Sequence, residues 1–233
     1  MKNEVAVVVG VGPGLGAALV KRFAEEGFTT VAVARRASSL TGLRGGDNPV
    51  ILYDCDATVL EQVERLFQNI QSDYGALRVT VFNAGVFERR EVVETDPADF
   101  ERCWRLGCFA GFLVGKAAAR AMLKQGQGTI LFTGATATLR GSAGFVNLAS
   151  PKFALRALAQ SMARELGPQG IHVAHVIIDG QIRSQRDPHL LAERGADSLL
   201  EPDAIADAYL AIHRQRRSAW TLELDLRPWV EKF

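Results

Sequence analysis

The chain has 233 residues, 48% of them hydrophobic, which is enough to bury one large α/β core and excludes a disordered protein. Its 27 Lys and Arg residues almost balance 26 Asp and Glu residues, so the net charge of +1 gives no electrostatic basis for binding nucleic acid. The longest apolar stretches, such as Val5–Val9 and Val173–Ile178, are too short for the roughly 20 residues of a membrane span, and the N-terminal segment has no signal-peptide pattern. We therefore expect a cytoplasmic protein with no membrane partner.

The chain contains three cysteines, Cys55, Cys103 and Cys108, and an odd number cannot form a fully paired disulfide framework. Their spacing matches no metal-binding pattern. We expect free thiols in a reducing compartment and no metal site.

Short apolar runs alternate with helical patterns along the whole chain. Runs without polar alternation indicate strands that are buried on both faces, which is typical of a parallel sheet covered by helices. Six runs are of this kind: Val5–Val9, Thr30–Ala34, Val50–Tyr53, Arg78–Phe82, Thr129–Phe132 and His172–Ile178. A seventh run, Thr221–Leu226, alternates apolar and polar residues and predicts an edge strand. We expect one doubly wound domain over residues 1–233, with a mostly parallel seven-stranded sheet and helices on both faces.

Proline and glycine mark the ends of two long helices. Asp96-Pro97 predicts the start of a helix that continues to Lys124. Pro151 predicts the start of a second helix, Lys152–Leu166, and Gly167-Pro168 predicts its end.

A glycine-rich segment, Gly10–Gly16, lies between the first predicted strand and the first predicted helix. Glycines there let backbone N–H groups approach a pyrophosphate, and the helix N-terminus adds its partial positive charge. The alternative is a purely structural turn, but so many glycines are conformationally costly unless something must approach the backbone. The segment therefore predicts a dinucleotide site that involves Gly10, Gly12, Pro13, Gly14 and Leu15.

The end of the second predicted strand bears on which dinucleotide binds. A site for NAD normally has an acidic residue there, which accepts a hydrogen bond from the ribose 2′-OH, whereas Arg suits the 2′-phosphate of NADP. Here Ala34 is followed by Arg35 and Arg36, with no acid. We expect Arg35 to bind the phosphate and Arg36 to be solvated, which favours NADP(H) over NAD(H).

At several motifs the sequence resembles the short-chain dehydrogenase/reductase family. The segment Gly10–Gly16 is similar to the family's TGxxxGxG, with Val9 where Thr is usual, and Cys55-Asp56-Ala57 resembles the acidic pair that contacts adenine. Phe82–Gly85 is similar to NNAG, and Lys152 is placed like the Lys of YxxxK. The resemblance covers essentially the whole chain and implies a Rossmann-type domain with an NAD(P)-dependent oxidoreductase activity on a small-molecule substrate.

The resemblance also implies further cofactor contacts, including one in Asp179–Ile182, where the family has a PG turn. These expected contacts are Asp56, Ala57, Asn83, Ala84, Gly85, Lys152 and Ile182.

Three of the four catalytic positions depart from the family pattern. Leu148 stands four residues before Lys152, where the family has its Tyr acid, and Ala135 stands where the family has Ser. Cys108 falls near the position of the helix Asn. Leu148 cannot donate a proton, and the side chain of Ala135 cannot form a hydrogen bond. Because positioned acid catalysis contributes about 10²- to 10⁴-fold, we expect an atypical or absent proton donor, with Lys152 as the one retained catalytic residue.

Other polar residues near these positions are alternative proton donors, and each has a simpler structural interpretation. The threonines suit a strand end, Ser150 suits a helix cap, and Asp179 suits a turn that binds its own backbone. The candidates are Thr133, Thr136, Asn147, Ser150, Asp179 and His189. We expect His172, His175 and Tyr209 to be packing residues, the two histidines on opposite faces of the sixth strand.

Three functions are consistent with this pattern. The first is an NADP(H)-dependent oxidoreductase that transfers hydride to or from a small carbonyl, alcohol or activated alkene, with residues 181–200 as a substrate lid. The second is a catalytically silent NADP(H)-binding subunit with a regulatory or redox-sensing role. The third, weaker one is a lyase or epimerase on the same scaffold, because fold does not determine reaction.

The resemblance implies a homodimer or homotetramer, since the two long helices of family members pair across a two-fold axis. We expect the pairing faces to be formed by small residues, namely Gly111, Gly115, Ala117, Ala118 and Ala121. The aromatic tail residues Trp229 and Phe233 are expected to dock, either on a neighbouring subunit or on their own.

Overall fold

The computed structural model describes residues 4–40, 42–43, 46, 48–184, 189–195 and 197–231. Its strands form one seven-stranded sheet in the order β3-β2-β1-β4-β5-β6-β7, and every neighbouring pair is parallel. The strands are β1 Glu4–Val9, β2 Thr29–Ala34, β3 Val50–Asp54, β4 Ala76–Phe82, β5 Gly128–Thr133, β6 Ile171–Ile178 and β7 Glu223–Leu226. The predicted single Rossmann-type domain is confirmed, and its sheet is wholly parallel.

Helices cover both faces of the sheet because the strand side chains alternate between two apolar cores. In β1, Val5, Val7 and Val9 belong to the core under the helices Leu60–Asn69, Ala110–Leu123 and Val146–Leu166. Ala6 and Val8 belong to the core on the other face, under the helices Leu15–Glu25 and Pro202–His213. The helices are α1 Leu15–Glu25, α2 Leu60–Asn69, α3 Pro97–Trp104, α4 Ala110–Leu123, α5 Val146–Leu166, α6 His189–Arg194 and α7 Pro202–His213.

The direction of strand order reverses between β1 and β4, which are neighbours at the centre of the sheet. In open α/β sheets this switch point, at the carboxyl ends of the strands, opens the crevice in which ligands bind. The segments that follow β1 and β4 are Gly10–Gly16 and Asn83–Gly85, two of the motifs singled out in the sequence. The topology therefore places both motifs at the same crevice.

Helix α5 begins at Val146, earlier than the start predicted at Lys152, so Pro151 lies inside the helix. The first turn is stabilised by tertiary packing, since Asn147 and Ala149 are buried, and such packing overrides a local proline signal. Gly107 makes room for the proline ring, because a Cβ at Gly107 would lie 2.8 Å from the Cβ of Pro151.

The small residues of α4 face the protein's own core, so the prediction that they form an intersubunit face was wrong. A Cβ at Gly111 would lie 2.6 Å from Cδ1 of Leu155, and one at Gly115 would lie 3.0 Å from the ring of Phe132. Small side chains are needed here because α4 lies close to the sheet and to α5. The outward face of α4 carries Phe112 and Lys116 instead.

A single π turn, Arg105–Phe109, joins α3 and α4 into one continuous helix, Pro97–Leu123. In the described part of the chain this helix is the one long and apolar enough to cross a membrane, although 61% of its most apolar window is buried in the protein. Most of this window is therefore packed inside the protein.

The side chain of Trp229, in the C-terminal tail, does not pack against its own subunit, because 80% of its surface is exposed. The second predicted docking residue, Phe233, lies outside the described residues. Docking of Trp229 on a neighbouring subunit stays a prediction.

We expect Gly111→Val to lower the free energy of unfolding by about 1–3 kcal/mol, the usual cost of overfilling a packed core. The added atoms would overlap Leu155 and the ring of Phe82. Chemical denaturation measures the change, and Lys116→Val on the exposed side of the same helix is the matched control, with an expected change within about 0.5 kcal/mol. Equal losses in the two variants would contradict the inward orientation of the small residues.

Candidate functional site

The glycine segment is fastened to the end of β4 by a close backbone approach. Gly10 has φ +93, and a Cβ there would overlap the backbone of Ala84. The Asn83 side chain completes the contact, because its Nδ2 donates to the carbonyl of Gly10 at 3.0 Å. Glycine at position 10 and asparagine at position 83 therefore fix the geometry of the crevice floor.

The next two glycines leave open space in which a ligand can approach the protein backbone. A Cβ at Gly12 or at Gly14 would meet no atom within 4 Å, and Pro13 is exposed. Gly14 is the N-cap of α1 and offers no side-chain cap, so the first N–H groups of the helix remain available to an anion. The side chain of Leu15 is buried in the core, so Leu15 can contact a ligand only through its backbone.

The carboxyl ends of β2 and β3 form the side of the crevice expected to bind adenosine. Arg35 and Arg36 are both exposed directly after β2. Asp56 follows β3, and its Oδ1 accepts from the backbone N–H of Thr58 at 2.9 Å and from the Thr58 hydroxyl at 2.7 Å. These bonds hold the carboxylate in place beside Ala57, which is buried.

Lys152 lies at the centre of the crevice, at the ends of β4 and β5. Its side chain is buried, and its Nζ donates to the carbonyl of Thr133 at 2.6 Å. A Cβ at Gly85 would lie 3.6 Å from this Nζ, so the amine borders the Asn83–Gly85 motif. Burial lowers the pKa of Lys152 to about 8, because an ammonium group is poorly solvated there.

The three residues that the sequence predicts at catalytic positions carry no side-chain hydroxyl or amide. Leu148 is half-buried one helical turn before Lys152. The backbone N–H of Ala135 donates to Oγ1 of Thr138 at 3.0 Å, so neither the backbone nor the side chain of Ala135 is free to donate to a carbonyl oxygen. Cys108 lies in the π turn, and burial raises the pKa of its thiol, which keeps it protonated.

Several alternative donors are committed elsewhere. The Thr133 hydroxyl bonds the Tyr209 hydroxyl at 2.8 Å, on the face of the sheet opposite Lys152. Asn147 Nδ2 donates to Oε1 of Glu88 at 3.2 Å. Asp179 is paired with Arg227, with 3.1 Å between Oδ2 and Nη2, rather than bonded to its own turn.

Of the remaining candidates, Ser150 lies within α5 instead of capping it, and His189 is exposed on α6. Thr136 begins the short helical turn after β5 and is half-buried. The structure therefore brings Lys152 into the crevice and leaves most of the alternatives outside it.

The two histidines of β6 are both buried, and they lie on opposite faces of the sheet. His172 bonds the carbonyl of Thr221 at 2.8 Å and stacks on Trp220. His175 lies under α5, where burial and then the charge of Lys152 lower its pKa to about 4. His175 is therefore neutral near pH 7.

The expected lid, residues 181–200, is anchored at both ends. Ile182 forms a parallel bridge with Leu200, and Arg183 N donates to the carbonyl of Leu200 at 2.8 Å. Residues 185–188 and 196 of this segment lie outside the described residues. These contacts hold the start of the segment against its end.

One group of residues at the rim of the crevice was not identified as functional from the sequence. Phe87, Glu88 and Arg89 follow the Asn83–Gly85 motif, and they contact Phe145 and Asn147 at the start of α5. Their position two to four residues after Gly85 is a signal that could have identified them. Within the described ranges, no group of three or more His, Cys, Asp or Glu residues is arranged to hold a metal.

The buried amine of Lys152 predicts a specific pH dependence of stability. Between pH 8 and about 10.5 the unfolded chain binds the Lys152 proton and the folded chain has released it, so the free energy of unfolding rises with pH in this window. Across this window the free energy of unfolding of the native protein should rise by on the order of 2–3 kcal/mol relative to that of Lys152→Met. Urea denaturation of both proteins measures the difference, and a flat difference would contradict the lowered pKa.

Comparison with known proteins identifies the family of the chain. The short chain dehydrogenase family matches residues 4–227. The chain is 30% identical over 178 residues to short chain aldehyde dehydrogenase 1 of Euphorbia lathyris, a match that covers 74% of this chain and 62% of that protein. It is 28% identical over 241 aligned positions to a 3α-hydroxysteroid dehydrogenase of Mediterraneibacter gnavus, covering 96% of this chain and 95% of that one.

A crystal structure of a short-chain dehydrogenase from Rhodopseudomonas palustris superposes with a TM-score of 0.85 at 40% identity, covering 98% of this chain and 100% of the other. The family match extends over nearly the full length, including every segment that builds the crevice. The chain therefore belongs to the short-chain dehydrogenase/reductase family of NAD(P)-dependent oxidoreductases that act on small molecules.

Proposed function

We propose that the chain is an NADP(H)-dependent oxidoreductase that transfers hydride to or from a small carbonyl, alcohol or activated alkene, without a tyrosine as proton donor. One observation carries this proposal: the open glycines Gly12 and Gly14, the Asn83 contact and the buried Lys152 amine all meet at one crevice. A structural turn alone would not require glycine at Gly12 and Gly14, because a Cβ at either position would meet no protein atom.

The residues of the crevice suit a nicotinamide dinucleotide, which supplies or accepts the hydride when bound. The backbone of Gly10–Leu15, with Pro13, would bind the pyrophosphate, because helix N-termini favour anions. Asp56 and Ala57 would contact the adenine, Asn83–Gly85 would line the floor, and Lys152 would bind the nicotinamide ribose. Ile182 would contact the cofactor at the nicotinamide end.

Arg35 is the basis for proposing NADP(H) over NAD(H). No acidic side chain follows Ala34 in β2, so the ribose 2′-OH of NAD would lack its usual acceptor. An exposed guanidinium at the same place suits a 2′-phosphate, which it can bind through two parallel hydrogen bonds.

The catalytic positions favour a substrate that needs little proton donation. Leu148 has no proton to give, Ala135 has no free donor, and Cys108 is a buried neutral thiol. An activated alkene or an electron-poor carbonyl accepts hydride with less acid assistance than a simple ketone. Lys152 remains as the polar side chain that orients the ribose in the crevice.

A second candidate function is a catalytically silent NADP(H)-binding subunit. It is favoured by Ala135, whose backbone N–H is already bonded to Thr138, because this removes a donor without any gain in cofactor binding. A silent subunit would retain the cofactor contacts and lose turnover, which separates the two candidates experimentally.

We also propose a homodimer or homotetramer that pairs through the outward faces of the long helices, in the cytoplasm. Trp104, Phe112 and Phe153 are between 38% and 43% exposed on these faces, and large apolar side chains of this kind suit a two-fold contact. Residues 181–200 are proposed as the substrate lid of each subunit.

Fluorescence titration of the purified protein with NADPH and with NADH tests the proposal. We expect NADPH to bind at least about tenfold more tightly than NADH, since charge-assisted hydrogen bonds to a phosphate contribute more than neutral ones. Equal affinities would contradict the role of Arg35 in binding the 2′-phosphate. If neither NADPH nor NADH binds, both candidate functions are contradicted.

Gly14→Trp should abolish this binding without unfolding the domain, because the side chain would fill the open space that the cofactor needs. Gly167→Trp is the matched control, since its Cβ also meets nothing within 4 Å but lies at the far end of α5. Circular dichroism confirms folding of both variants, and unchanged binding by folded Gly14→Trp would show that the loop is not the site.

Restoring the donors should raise carbonyl reduction. We expect Leu148→Tyr combined with Ala135→Ser to increase kcat/KM toward simple ketones by about 10²-fold or more, the range of positioned acid catalysis. Leu148→Phe with Ala135→Ser is the control, because it adds the ring without the hydroxyl. Equal rates for the two double variants on a broad ketone panel would mean that the pocket is not arranged for this chemistry.

A further inference from the structure

We propose that the rim of the crevice formed by Phe87, Arg89 and Phe145 selects a substrate that carries a carboxylate or phosphate next to an apolar or aromatic body. The inference rests on the proposed function and names the substrate class for the same crevice. Its evidence is separate from the cofactor residues and comes from two loops that follow β4 and precede α5.

The two loops are joined by backbone contacts, so the rim is a fixed structure. Arg90 N donates to the carbonyl of Gly144 at 2.8 Å, and Arg90 forms a parallel bridge with Phe145. Gly144 has φ +80, and a Cβ there would lie 3.3 Å from Cγ of Arg89. A glycine at this point lets the Arg89 side chain lie across the α5 loop.

The rim lies next to the reacting end of the crevice. Arg89 follows Gly85 by four residues, and a Cβ at Gly85 would lie 3.6 Å from the amine of Lys152. On the other side, the carbonyl of Phe145 accepts from the backbone N–H of Leu148 at 3.0 Å. A substrate whose carbonyl reaches Lys152 and Leu148 therefore has its remaining part close to the rim.

The rim carries a net positive charge. In the described part of the chain, neither Arg89 nor Arg90 has an ion-pair partner. The adjacent acid Glu88 is occupied, because its Oε2 accepts from Arg102 at 2.7 Å and its Oε1 accepts from Asn147 at 3.2 Å. Glu91 is exposed and offsets one of the two arginines, which leaves an excess of one positive charge at the rim.

Aromatic surface accompanies this charge. The guanidinium of Arg89 lies 5.5 Å from the centre of the Phe145 ring, and the Phe87 ring packs edge-on against Phe145 at 5.7 Å. Phe87 is 77% exposed, far more than a ring that served only the core. The half-buried Leu148 adds apolar surface where the family has a polar hydroxyl.

Charge and aromatic surface together define the ligand chemistry. The guanidinium of Arg89 is positioned by a ring on one side and has free N–H donors for a planar carboxylate or a phosphate. The rings Phe87 and Phe145 contact an apolar or aromatic body through their exposed faces. A carbonyl compound with both features is oriented by the rim, which partly replaces the orientation that the missing donors would provide.

Isothermal titration of the full-length protein with three probes tests the inference: phenylglyoxylate, phenyl phosphate and the neutral phenylglyoxylamide. We expect at least one anionic probe to bind at least about threefold more tightly than the amide, the range of a partly exposed ion pair. The preference should weaken at high salt because the site is solvent-accessible. The two anions distinguish a carboxylate substrate from a phosphate substrate.

Arg89→Gln should remove the preference for the anions and leave the affinity for the amide unchanged. The matched control is Arg105→Gln, which removes another arginine over a phenylalanine ring, 5.0 Å from the centre of Phe109 and outside the crevice. Equal affinities for anion and amide, no binding of any probe, or an unchanged preference in folded Arg89→Gln would overturn the inference.

The NADPH titration on the same preparations separates this inference from the proposed function. Anion binding that depends on Arg89 in a protein that does not bind NADPH would support substrate selection by the rim and contradict the proposed oxidoreductase function. NADPH binding together with equal affinities for charged and neutral probes would support the oxidoreductase function and contradict selection by the rim.

Discussion

The close approach of Gly10 to the backbone of Ala84 is the contact on which the rest of the site depends. It joins the ends of β1 and β4 at the point where the strand order reverses, and the Asn83 amide locks it through the Gly10 carbonyl. A side chain at Gly10 would force the two strand ends apart. That separation would move the N-terminus of α1 and the Asn83–Gly85 motif away from each other, so one glycine sets the width of the crevice.

Lys152 depends on this arrangement and on a second contact behind it. Its amine is held by the carbonyl of Thr133, and the Thr133 hydroxyl is held in turn by Tyr209 on the opposite face of the sheet. Thr133 thus links the two layers of helices at the end of β5. A buried ammonium with one such acceptor is poorly solvated, which explains its lowered pKa and makes its charge sensitive to any anion that enters the crevice.

The sheet was predictable because strands that are buried on both faces appear in the sequence as apolar runs. The importance of the Gly10–Gly16 segment was predictable because glycine is conformationally costly unless the backbone must be approached closely. What failed were inferences that depend on which neighbour a residue meets. Pro151 was expected to start a helix, but packing of Asn147 and Ala149 extends α5 before it. Asp179 pairs with Arg227, far along the chain, and no local pattern could reveal that partner.

Under the proposed function the crevice keeps its backbone geometry and lacks the usual polar donors, and these two features have different physical origins. Glycines that permit backbone contact are enforced by sterics, whereas a catalytic hydroxyl can be removed without disturbing the fold. Leu148 and Phe145 make the interior less polar, whereas Arg89 at the rim is exposed, so its charge is screened by water and salt. In the proposed reaction Arg89 would therefore contribute orientation of the substrate rather than strong binding, and orientation is a part of catalysis that does not require an acid.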